Sequence, residues 1–447
     1  MLFELSKYRP LLLTPFLLAA LWLGATERSA TPEAIVRAVA ADLAAGRFAA
    51  VTARFAPQVA SALPEERLKE VWTSLPAQVG AFGGAGEPRV ETVGAVSVVT
   101  VPMRFDRVPL DMRVSVDADG TIVGLFFAPA QVPASPWSAP PYASPSAFRE
   151  EEVLVGRDPW TLPGTLTLPA GKTKVPAVVL VHGSGPHDRN ETIGPNRPFQ
   201  DLAWGLASRG VAVLRYEKRT KVHAGKLATL RGLTVREETM DDARAAVSLL
   251  RARPEIDSTR VFLLGHSLGG TLAPRIALEE PGLAGLVILA GATRPIPDLM
   301  VEQTEYIASL GGEPDAGVRK RIAELKADAA RARAAKPGDG PSILGAPPSY
   351  WADLNAYDPV EAAKKVKRPM LILQGERDYQ VTAKDLARWR EALAGRPYVT
   401  IRTFADLNHL FMMGKGKGTP TEYDRAGHVA PSVVEAVAAF VKGADLP

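Results

Sequence analysis

Five residues constrain this chain more than any others. Gly265-His266-Ser267-Leu268-Gly269 directly follows the apolar run Val261 to Leu264 and precedes a helical pattern. A strand-to-helix turn this tight leaves no room for a side chain at its first and last positions, which would collide with the neighbouring helix or strand. The serine between them is expected in a strained backbone. Its hydroxyl is lifted above the strand end, at the N-terminus of a helix whose dipole favours developing negative charge. Pro274, inside that helix, is expected to bend or shorten it.

The rest of the chain from about residue 150 fits such a turn. Val175 to Val181 is almost wholly apolar, as in a strand buried on both faces. Phe199, Leu202, Ala203, Leu206 and Ala207 mark an amphipathic helix stopped by Gly210. Strands follow at Val211 to Leu214, Val261 to Leu264, Leu286 to Leu289, Met370 to Leu373 and Val399 to Phe404. Helices are expected at Glu237 to Arg253 and around Val433 to Val441. Strands alternating with helices imply an α/β fold with a mostly parallel sheet. Residues 293–366 break the rhythm with helical patterns and a Gly/Pro-rich piece, Pro337 to Pro348. Placed between two core strands, they form either a cap over the site or a solvated helical decoration.

Upstream lies a different pattern. Helical spacing at residues 32–55 and Glu65 to Ser74 is followed by period-two strands at Arg89–Val93, Val96–Phe105, Leu110–Val116 and Thr121–Phe127. Residues 31–130 therefore read as a small N-terminal α+β domain. The Pro- and Ser-rich stretch 131–149 reads as a linker to the domain at 150–447, or as a strap held down by Trp137 and Tyr142. Residues 1–30 carry Lys7 and Arg9 ahead of the apolar run Leu11 to Leu23, the layout of a secretory signal peptide. That run falls short of the roughly 20 residues of a comfortable span. An exported protein, periplasmic or secreted, is expected, with an uncut membrane anchor as the alternative.

The chain has no cysteine, which excludes disulfides, thiolate catalysis and Cys-type zinc sites. A net charge of +4 over 447 residues gives no footing for nucleic acid. The basic residues between 318 and 335 interleave with Ala and Glu rather than with aromatics. No phosphate loop, dinucleotide fingerprint or metal-ligand spacing is present among the six histidines, so neither cofactor nor metal is expected. His182 reads as an orienting residue.

A serine hydroxyl needs a base, and the base an orienting acid. With a serine on a strand-to-helix turn, the order along the chain is serine, acid, histidine. Asp378 follows the strand Met370 to Leu373, with Glu376 its competitor, and His409 follows the strand ending at Phe404, with His428 its competitor. The main-chain N–H of Leu268 supplies one donor to a developing oxyanion. The loop Val181-His182-Gly183-Ser184-Gly185-Pro186 supplies the second, from Ser184 or from its rival Gly185. Arg189, Asn190 and Glu191 either contact substrate or brace that loop, and Lys218 and Arg219 read as structural.

On these residues the chain from about 150 to 445 resembles the α/β-hydrolases. It is similar to exported bacterial serine esterases and peptidase-like enzymes related to dienelactone hydrolases and prolyl-oligopeptidase catalytic domains. The run His182 to Thr192, then Pro195-Asn-Arg-Pro-Phe199 and Tyr216-Glu-Lys-Arg-Thr220, carries the resemblance. In that subgroup a small cone-like α+β roll of uncharacterised function precedes the catalytic domain, and residues 32–130 resemble it. The resemblance implies Ser267 as nucleophile, Asp378 as acid and His409 as base. Dienelactone enzymes place cysteine where Ser267 stands, and no propeller repeats precede this domain. The expected activity is a carboxylesterase-like serine hydrolase acting on a small ester. Amide or short-peptide cleavage on the same three residues is the alternative, and a non-catalytic binding protein on this fold is a further one.

Overall fold

A computed structural model describes residues 30–93, 96–106, 110–129, 137–171, 173–338 and 340–443. The segment read as an export signal, Lys7 to Leu23, lies outside these residues. The structure forms two compact units that divide after Gln131.

The first unit packs four helices, Pro32–Ala44, Phe48–Thr52, Pro57–Ala62 and Glu65–Val79, on a five-stranded antiparallel sheet. Its strands are β1 (Phe82–Ala85), β2 (Arg89–Val93), β3 (Val96–Phe105), β4 (Leu110–Val116) and β5 (Ile122–Pro129). Both β1 and β2 pair with the long β3, which continues through β4 to β5. Val36, Val39 and Leu43 meet Val99, Val101, Met103, Met112 and Val114 in one core. The helix expected over 32–55 is two helices: Gly46 sits at φ +70, a left-handed position that glycine takes without strain, and ends the first.

The second unit carries an eight-stranded sheet. Its strands are β6 (Phe148–Val155), β7 (Leu162–Pro169), β8 (Val175–Val181), β9 (Ala212–Tyr216), β10 (Ile256–His266), β11 (Gly285–Leu289), β12 (Met370–Gly375) and β13 (Val399–Phe404). The order is β13-β12-β11-β10-β8-β9-β7-β6. All neighbours from β13 to β9 are parallel, and β7 and β6 add an antiparallel edge. Helices cover both faces. Val178 and Leu180 pack with Phe199, Leu202, Val433 and Val437, whereas Val179 and Val181 pack with Val247, Leu250, Leu272 and Ile276. Successive side chains of one strand thus enter opposite cores, which is why β8 is apolar throughout.

Residues 137–147 run along this unit as a strap. The Trp137 indole donates to Asp201 (3.0 Å) and the Tyr142 hydroxyl to the Val429 carbonyl (2.7 Å). The helix after Ser267 is not shortened by Pro274 and runs from Leu268 to Glu279. Burial of Leu272 and Ile276, about 1.5–3 kcal/mol each, offsets the roughly 3 kcal/mol an interior proline costs.

Four helices lie between β11 and β12: Ile296–Leu310, Ala316–Arg333, Pro348–Asn355 and Pro359–Lys365. The last buries Val360 and Ala363 in the core, while the first and third border the site.

Candidate active site

The turn after β10 has the geometry its glycines anticipate. Ser267 adopts φ 53 and ψ −116, a left-handed backbone that a non-glycine residue holds only under constraint. A Cβ on Gly265 would lie 2.2 Å from the Gly269 carbonyl oxygen, and one on Gly269 would lie 2.3 Å from that of Val181. The turn is therefore wedged between its own helix and β8.

His409 lies in the loop after β13, and its Nδ1 is 2.7 Å from Asp378 Oδ2. Both residues are buried, whereas Glu376 is exposed. Asp378 accepts three further hydrogen bonds: from the Gln380 and Val381 amides at Oδ1 (2.8 and 3.0 Å), and from Gln374 Nε2 at Oδ2 (3.1 Å). Asn408 braces the histidine loop by accepting the Leu410 and Met412 amides. His428 pairs instead with Asp201, at 3.1 Å.

His266 joins the two halves of the site. Its ring stands 4.7 Å from that of His409, and its Nε2 lies 3.0 Å from the His409 carbonyl oxygen. Its Nδ1 lies 2.9 Å from Glu191 Oε2, an ion-pair distance, although the N–H does not aim squarely at that oxygen. Burial disfavours the charged ring, but Glu191, the His409 carbonyl and Asp378 outweigh it and raise its pKa. For Glu191, burial pushes upward, but its neighbours, the His266 charge foremost, pull downward more strongly, leaving the carboxyl at about 2. Burial takes the His182 imidazole down to about 3, so it is neutral and donates from Nε2 to the Asp188 carbonyl (3.0 Å).

The loop after β8 is held from both sides. Glu191 Oε1 accepts the Gly183 amide (2.7 Å), and Lys218 Nζ donates to the Gly183 carbonyl (2.7 Å). The amides of Ser184, Gly185 and Leu268 have no acceptor among the described residues, so both candidates for the second donor are free. The Ser267 hydroxyl likewise has no hydrogen-bond partner among them. Contacts to a catalytic base are often long before substrate binds. Arg189 is engaged by Glu152 and Glu217, Asn190 by Arg215 and Glu191 by Gly183, so all three are taken up in bracing. Arg219 pairs with Asp242. Sequence reading did not single out His266, Gln374 or the Gly183 grip of Lys218.

A cavity of about 530 Å³ opens over Ser267, Leu268, Ser184 and Gly185. Ile296, Leu299 and Met300 of the first cap helix line it, with Leu344 to Pro347 and Trp351. A wider groove of about 780 Å³, at Pro141, Met413 and His428, borders neither Ser267 nor His409.

Known proteins are similar to this chain over both of its units. Residues 178–439 match the profile of the alpha/beta hydrolase family, and residues 36–125 match a protein family of unknown function, DUF3887. Esterase EstD of Thermotoga maritima is 40% identical over 385 residues, covering 86% of this chain and 89% of that enzyme. The acylamino-acid-releasing enzyme of Rattus norvegicus is 24% identical over 238 residues, 51% of this chain and 27% of that one. A solved esterase from Pyrobaculum calidifontis superimposes with a TM-score of 0.44 at 14% identity, over 66% of this chain and 85% of that one. The profile spans more than half of the sequence and EstD aligns over nearly its whole length: the chain belongs to the alpha/beta hydrolase family.

Proposed function

We propose that the protein is a serine esterase that works through an acyl-enzyme. The observation that carries this reading is the buried His409–Asp378 pair at 2.7 Å, set beside His266, whose next residue in the chain is the strained Ser267. Asp378 accepts a hydrogen bond from the Nδ1–H of His409, which leaves Nε2 as the base. Ser267 Oγ attacks the ester carbonyl and gives its proton to Nε2. The tetrahedral oxyanion is met by the Leu268 amide and by that of Ser184. Collapse breaks the acyl–oxygen bond, and the imidazolium returns its proton to the departing alcohol. Water, deprotonated by the same imidazole, then releases the acid and restores Ser267. The mainly apolar cavity suits an uncharged acyl group. The name of EstD, 40% identical, supports ester over amide cleavage.

The test is a panel of p-nitrophenyl esters and aminoacyl p-nitroanilides on the full chain. Ester turnover well above anilide turnover is expected, and the reverse ranking makes the protein a peptidase.

Export belongs to the same proposal: Lys7, Arg9 and the run Leu11 to Leu23 direct the enzyme out of the cytoplasm, cleaved or as an anchor. Cell fractionation with N-terminal sequencing of the recovered protein checks it, and full-length protein confined to the cytoplasm contradicts it.

A further inference from the structure

Lys218 is 2% exposed, and its ammonium makes two hydrogen bonds. One goes to the Gly183 carbonyl (2.7 Å) and one to Glu238 Oε1 (2.8 Å). The Gly183 carbonyl belongs to the same peptide unit as the Ser184 amide. In a trans peptide the N–H points opposite the C=O, so whatever grips that oxygen sets the direction of that donor. A cation on the carbonyl also polarises the unit and strengthens its N–H as a donor. Glu238 sits on a π-helical turn, Arg236–Met240, a wide turn often found at functional sites. Its Oε2 accepts the hydroxyl of Tyr350 (2.7 Å), which comes from the cap helix Pro348–Asn355. Burial and the Glu238 charge keep that phenol protonated.

We propose that Lys218 is a positioning residue for the oxyanion donor, and that the chain Tyr350–Glu238–Lys218 ties the cap to the Gly183–Ser184 peptide. A cap seated over substrate then holds the Ser184 N–H toward the cavity, and a cap displaced from the site loosens it. A simple core ion pair needs neither the carbonyl contact nor the hydroxyl from the cap. Thr220 supports the same loop from the same segment, its hydroxyl donating to the Gly185 carbonyl (3.2 Å).

This inference rests on the serine-esterase reading, and two variants test it. Tyr350→Phe cuts the tie at the cap. The double variant Lys218→Met/Glu238→Gln removes both buried charges together, so that neither is left uncompensated. Each is assayed on an oxo ester and on its thiono counterpart, whose sulfur accepts hydrogen bonds poorly and so gains less from an aligned donor. Losing an oxyanion donor costs about 10²–10³ in kcat, so Tyr350→Phe is expected to lower kcat for the oxo ester about tenfold and the double variant about a hundredfold. KM stays within about twofold, and the oxo-to-thiono rate ratio narrows in step. Unchanged kcat, equal slowing of both esters, or an effect on KM alone overturns the proposal. If the double variant does not fold, Tyr350→Phe decides. Failure of the underlying reading looks different: Ser267→Ala would then keep its turnover.

Discussion

Asp378→Asn exchanges one oxygen for an amino group, and the site leaves little freedom in how the new amide is placed. If its oxygen keeps the Gln380 and Val381 amides, the NH₂ faces Gln374 Nε2 and His409 Nδ1. Gln374 cannot turn away without cost, because its Nε2 also donates to the Val381 carbonyl (2.9 Å). The reversed placement sets the NH₂ against two main-chain donors that cannot adapt at all. His409 therefore yields. Its proton moves to Nε2, and the nitrogen meant to accept the serine proton already carries one. A wrong tautomer in such a trio costs about 10⁴ in kcat, or roughly 5 kcal/mol at 1.36 kcal/mol per decade. The opposed donors at Gln374 add about 1–3 kcal/mol of lost stability. Steady-state kinetics on a p-nitrophenyl ester, beside urea unfolding of the same preparation, reads both. A folded variant that loses tenfold or less would refute the claim that Asp378 sets the tautomer of His409.

Other outcomes follow from the same geometry. Glu191 titrates near 2 rather than its ordinary 4.5, so its stabilisation is present above about pH 4.5 and disappears as pH falls through 2. That difference corresponds to roughly 3 kcal/mol. Urea unfolding of Glu191→Gln should show a flatter acid limb than the wild type between pH 4.5 and 2, and parallel limbs would remove the His266–Glu191 pair from the account. Gly269→Ala puts a methyl 2.3 Å from the Val181 carbonyl oxygen and 2.7 Å from that of His182, both main-chain atoms. Activity should vanish and thermal stability should fall sharply, whereas a variant with wild-type melting and turnover would mean the turn has slack.

Much of the catalytic unit was legible in its residues because the relevant signals are local. The strands β8 and β13 start and stop where expected, at Val175–Val181 and Val399–Phe404. For β8, buried on both faces, there is no polar face to blur its ends. Asp378 and His409 were found from chain order, and the structure brings them into contact. The edge hairpin β6–β7 was not foreseen. Arg149 and Glu150 to Glu152 fill β6 with charge, as edge strands do, and mask the period-two signal. The fastening of the loop after β8 was not legible either. Glu191 to His266 spans 75 positions and Lys218 to Gly183 spans 35, and no sequence period links such partners. Gly46 carried a signal, a glycine after an apolar stripe, that the continuing helical spacing concealed.

The central claim is that Ser267, His409 and Asp378 act on substrate as one unit. Time-resolved labelling with a fluorophosphonate, followed by peptide mass mapping, tests it most directly. One adduct per chain is expected, on Ser267, formed at least about 10³-fold more slowly in His409→Ala. Labelling at another residue, or at an undiminished rate without the imidazole, would contradict it.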